Sequence, residues 1–118
     1  MKWFARRRPA DIWDEPIQGP IGDIEAADRI RKICQAARAS AETVGDSVQG
    51  AERYERAARA AMEIAMKISD DLMRDDAVRR IVDLCMKADD VKTAQILSRA
   101  IQASWVREAM QRDYPALA

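Results

Sequence analysis

Histidine is absent from the chain, and glycine, proline and cysteine are scarce: four, four and two among 118 residues. Without histidine the commonest general base is missing, and with it the usual Ser-His and Cys-His nucleophile pairs. No glycine-rich phosphate loop or nucleotide fingerprint is present. Two isolated cysteines do not make a zinc site. Catalysis is therefore not expected, and no cofactor is.

Net charge is missing too, since 20 basic residues balance 20 acidic ones. A dedicated nucleic-acid binder needs an excess of Lys and Arg to displace counterions from phosphates, so nucleic acid is not the expected partner. There is no apolar run of about 18 residues that could cross a bilayer. The start, Met1-Lys2-Trp3-Phe4-Ala5-Arg6-Arg7-Arg8, lacks the apolar stretch and cleavage site of a secretory signal. Cys34 and Cys85 each fall within an apolar helical pattern and read as buried thiols in a reducing compartment. Cytoplasm is the expected location.

What is present is helix-forming sequence. Hydrophobic residues make up 48% and charged residues 34%, which suits one globular domain with a modest core. Three of the four prolines and two of the four glycines precede residue 23. Residues 1–22 therefore read as an irregular arm, and residues 23–118 as a single helical domain.

The spacing predicts a first helix from about Asp23, taken as its cap, to Thr43, with Ile24, Ala27, Ile30, Ile33, Cys34 and Ala37 on one face. Residues 44–50 read as a loop. A second helix, about Ala51 to Ile68, carries Tyr54, Ala58, Ala61, Ala65 and Ile68 inward. Ser69 or Asp70 caps a third, to about Lys87, whose apolar face is Leu72, Val78, Ile81, Val82 and Cys85. A fourth begins near Val91 with Ala94, Leu97 and Ile101. A segment from Trp105 to Arg112 either continues it or forms a fifth.

Acid-then-base pairs four residues apart recur in the orientation that stabilises helices: Glu25/Arg29, Asp28/Lys32, Glu52/Arg56, Glu55/Arg59, Glu63/Lys67, Asp75/Arg79, Asp76/Arg80, Asp83/Lys87 and Glu108/Arg112. The expected fold is all-α: four to five antiparallel helices, as a small bundle or a helical-hairpin array.

One internal echo bears on that choice. Ile68-Ser69-Asp70-Asp71-Leu72-Met73-Arg74-Asp75 lines up, 33 residues on, with Ile101-Gln102-Ala103-Ser104-Trp105-Val106-Arg107-Glu108. A period in the low thirties built of helix, turn and helix resembles the tetratricopeptide-type repeats, over roughly residues 53–112. The resemblance implies a scaffold that binds peptides or helices on a concave face.

The acidic cluster of Asp70, Asp71, Asp75, Asp76, Asp83, Asp89 and Asp90 has oxygen ligands that suit magnesium or calcium, but caps and ion pairs account for most of it. The candidate binding residues are instead large and apolar. In the arm these are Trp3, Ile12, Trp13 and Ile17, which either strap the helical domain or anchor a partner. Met66, Met73 and Met86 widen the helical stripes into a second contact face, and Trp105 joins them. The reading is a non-catalytic protein-interaction module or adaptor with a protein partner, or a homodimer that uses the same surface. The alternative is a small bacterial-type transcriptional regulator or antiactivator. It rests on the basic patches Arg6-Arg7-Arg8 and Arg29-Arg31-Lys32.

Overall fold

A computed structural model describes residues 11–118. Among them are five α-helices and no strand: α1 Asp23–Glu42, α2 Val48–Ala65, α3 Asp71–Lys87, α4 Val91–Ser98 and α5 Ser104–Asp113. Short 3-10 turns occupy Ile12–Asp14 and Pro115–Leu117. No helix among the described residues is long and apolar enough to cross a membrane.

Local chemistry sets the boundaries. Ser47 caps α2 by accepting from the Gly50 N–H at 3.0 Å, Asp70 caps α3 through the Met73 N–H at 2.8 Å, and Asp90 caps α4 through the Thr93 N–H at 3.2 Å. Asp89, at φ 58°, takes the left-handed conformation that ends α3, one of the few non-glycine residue types at ease there. Two expectations are corrected. Gly22, not Asp23, occupies the cap of α1. α2 begins at Val48 rather than Ala51, because Gly50 is a packing residue inside the helix and not part of a loop. A Cβ there would lie 2.6 Å from Thr43 Oγ1.

Asp23 instead accepts the backbone N–H groups of Ser69 and Asp70, at 2.8 and 2.9 Å. That contact puts the start of α1 beside the start of α3. Farther along, the Cys34 thiol lies 3.9 Å from the Arg80 carbonyl oxygen. Both contacts join residues 46 apart, so α1 and α3 run parallel in one fixed register. Asp75 does for α5 what Asp23 does for α3: it accepts the N–H groups of Gln102 and Ala103, at 3.0 and 2.9 Å. The Tyr114 hydroxyl then donates to Asp83 at 2.8 Å, so α5 runs parallel to α3. Helices α1, α3 and α5 form one layer. The hairpin partners α2 and α4 form the other, joined where the Tyr54 hydroxyl donates to Asp90 at 2.7 Å.

The core lies between the layers. Ala26, Ile30, Ile33, Ala37 and Ala41 of α1 meet Tyr54, Ala57, Ala61, Ile64 and Ala65 of α2, and Ala77, Val78, Ile81, Val82 and Cys85 of α3. The alanines let the axes approach, and each buried isoleucine contributes roughly 1.5–3 kcal/mol. Ile101 is also fully buried, but in the turn between α4 and α5 rather than within a continued fourth helix.

Two core assignments made from periodicity fail. Ile24 and Leu72 point outward, 80% and 57% exposed. The regular ion-pair ladder is also mostly absent: of the nine acid-base pairs only Asp28–Lys32, at 2.9 Å, and Asp76–Arg80, at 3.2 Å, form. Tertiary partners take some of the other charges. Arg79 reaches Asp113, Arg56 reaches Asp11 and Asp14, and Asp75 is drawn inside.

Candidate functional site

The sequence-selected residues divide into three groups. Trp3 lies outside the described residues. Ile12, Trp13 and Ile17 pack on the protein itself, with Trp13 only 5% exposed. Arg53 of α2 lies over the Trp13 ring, 5.0 Å from its centroid, and pairs with Asp11 at 3.1 Å. Arg29 of α1 donates to the Glu15 carbonyl oxygen at 2.9 Å. The segment from Asp11 to Ile17 is thus strapped across the α1–α2 hairpin. The Trp13 indole N–H has no hydrogen-bond partner among the described residues.

Met66 joins Trp13 and Ile17 along a groove of about 680 Å³ between that segment and α2, bordered by Arg56 and Arg59. Met73 and Met86 are half-buried against the core and do not meet there. A smaller groove of about 300 Å³ separates α2 from α4, with Ala58, Met62 and Leu97 on its walls.

Trp105 stands apart from these, 64% exposed. It is the second residue of α5, as Leu72 is of α3 and Ile24 of α1. The Asp23 contact sets the starts of α1 and α3 side by side, and the Asp75 contact sets the start of α5 about one turn farther along α3, so the three side chains are stepped near one end of the layer. With neighbouring axes roughly 8–10 Å apart, the three helices span about 20 Å across the layer. Met66, at the end of α2, is exposed at the same end of the fold. Sequence reasoning missed Ile24 and Leu72 because a helical stripe counts them as core. The readable signal was their place at the second position of a helix, ahead of the first turn that packs.

The titratable groups are tied into the fold. Backbone N–H donation from Ser69, then Asp70, holds the Asp23 carboxyl below its ordinary value. Burial pushes Asp90 up, but hydrogen bonds from Tyr54 and Thr93 outweigh it and leave the carboxyl lowered. Burial raises the thiol of Cys34 to about 12 and that of Cys85 to about 11, so neither is a ready nucleophile near neutrality. Both are free cysteines. No group of three or more metal-ligating side chains converges among the described residues.

Comparison with family models, with curated proteins and with solved structures finds no match to this chain.

Proposed function

We propose that the protein is a non-catalytic interaction module, an adaptor that engages a protein partner through the apolar edge formed by Ile24, Leu72 and Trp105. The observation that carries this reading is the repetition. Three parallel helices each place a large apolar side chain at their second position, and all three are more than half exposed. Lone exposed apolar residues are ordinary on a protein surface, whereas three near one end of a layer, a tryptophan among them, have the composition of a binding hot spot. The buried charges support a non-catalytic role, since Asp75 is consumed by two backbone N–H groups and Asp90 by a cap and a tyrosine. Two protonated free thiols support a reducing compartment such as the cytoplasm.

A photo-crosslinking amino acid placed at position 105, and separately at 72, tests the reading in cells. Crosslinks from both positions to one protein, absent from the same probe at the exposed residue Glu55, are the expected result. A second copy of this chain as that protein would make the edge a homodimer interface. Crosslinking at 72 and 105 no stronger than at 55 would remove the proposal.

A further inference from the structure

A second surface lies between α1 and α3, on the groove of about 440 Å³ that their parallel packing leaves open. Four cations stand along it: Arg31 and Arg38 from one wall, Arg80 and Lys87 from the other. Asp83 is the one acid among its lining residues, in a protein whose charges balance overall. Asp83 is itself occupied by the Tyr114 hydroxyl at 2.8 Å.

The register arranges these cations as a ladder. With α1 and α3 held 46 residues apart, Arg80 falls level with Cys34 and Lys87 level with Ala41. Going down the groove, the positive groups therefore come from α1, α3, α1 and α3 in turn. At 1.5 Å of rise per residue the steps are about 4.5, 6 and 4.5 Å, a ladder about 15 Å long. An extended chain rises roughly 3.3 Å per residue and turns successive side chains to opposite sides, so about five residues would span it. The floor, where Leu84 and the neutral Cys34 thiol lie, is apolar enough to seat a backbone and adds no competing charge.

We propose that the α1–α3 groove docks an extended acidic peptide segment of a partner protein, with its carboxylates on Arg31, Arg38, Arg80 and Lys87. The existing ion pairs do not stand in the way. Arg31 pairs with Asp28, Arg80 with Asp76 at 3.2 Å, and Arg38 with Glu42 at only 3.9 Å, all with half-exposed side chains one turn away on the same helix. Such pairs are worth at most about 1 kcal/mol, so incoming carboxylates can displace or share them. Lys87 has no ion pair among the described residues. A cleft between two adjacent helices is too narrow to admit a nucleic-acid duplex. The chain's own first ten residues are basic, with Lys2, Arg6, Arg7 and Arg8 and no acid, and are not complementary to it.

The test is fluorescence anisotropy with a labelled peptide of alternating Glu and Ser, beside the same peptide with Gln for Glu. The full chain should bind the acidic peptide saturably at low salt, and lose affinity as salt approaches the physiological range. Arg38→Gln with Lys87→Gln should weaken binding about tenfold or more, with the helical circular dichroism unchanged. Leu72→Ser with Trp105→Ser should leave it untouched, which keeps this groove distinct from the apolar edge. Failure to bind the acidic peptide at low salt would overturn the proposal. So would equal binding of the Gln peptide or by the Arg38/Lys87 variant. Tighter binding of mixed-sequence duplex DNA, lost in the same variant, would show a nucleic-acid site in its place.

Discussion

Arg74 and Arg107, 33 residues apart, make the same contacts in two successive turns. Arg74 donates to the carbonyl oxygens of Ile68 and Ser69 at 3.1 and 3.2 Å, and Arg107 to those of Ile101 and Gln102 at 2.7 and 3.2 Å. The N–H groups of the same turns go to Asp23 in the first case and Asp75 in the second. Each turn is thus held by a guanidinium on its acceptors and a carboxylate on its donors.

The two carboxylates differ in burial, and this gives a first prediction. Asp75 is 1% exposed, so Asp75→Ala leaves two part-buried N–H groups without their acceptor. Unfolding by denaturant should show a loss of about 3 kcal/mol or more. Asp23→Ala, at an exposed position where water can replace the carboxylate, should cost much less. Equal losses would contradict this account of the turns.

Gly50 supplies a second prediction. A methyl group there meets Thr43 Oγ1 at 2.6 Å and the Ser40 and Thr43 carbonyl oxygens at 3.3 Å. Gly50→Ala should destabilise the α1–α2 hairpin by about 1–3 kcal/mol despite alanine's better helix propensity. Thr43→Ala in the same chain should recover part of that loss, a coupling measurable in a double-mutant cycle.

The strapped segment supplies a third. Trp13→Ala should lower stability by about 3–5 kcal/mol, as for other buried aromatics. Trp13→Phe should cost far less, because it also removes an indole N–H that lacks a partner among the described residues. Thermal melts of both variants would show whether the segment is part of the folding unit. Indistinguishable melting temperatures for Trp13→Ala and the parent chain would detach it.

The fourth concerns pH. The carboxyls of Asp23 and Asp90 are lowered in the folded state from an ordinary value of 3.8, so they contribute stability above that value. That contribution is lost as pH falls through the folded values, below about 4. At the other end Cys85 is raised to about 11, and Cys34 and Tyr114 each to about 12. Their contribution is complete below the unfolded values of 9.0 for the thiols and 10.0 for the tyrosine, and is lost as pH rises through the folded ones. The melting temperature should therefore hold a plateau between about pH 5 and 9 and fall on both sides. Tyr54→Phe should lower the plateau and make the acid-side fall shallower, since Asp90 loses a hydrogen bond that holds its carboxyl down in the folded state.

Much of the helical framework could be read directly. Breakers concentrated at the start, Asp70 as a cap and the alanine-rich stripe of α2 locate most elements to within a few residues. What could not be read was decided between helices. Glu55 and Arg59 have the right spacing for an ion pair and form none, while Arg56 turns to Asp11, forty-five positions away. Ile24 and Leu72 fit the helical period, but only packing decides whether the first turn lies against a neighbour or projects beyond it. The edge they share with Trp105 was hidden for that reason. The α1–α3 groove was hidden because it depends on a register that neither helix encodes alone.

That register also governs how the molecule can deform. Sliding one helix of the parallel layer past the next by a single turn, about 5.4 Å, would strip the acceptors from a whole turn at once. Shear along the layer is therefore the stiff direction. Under load or on contact with another surface, the layer resists a change of alignment through these paired N–H groups as well as through its packing.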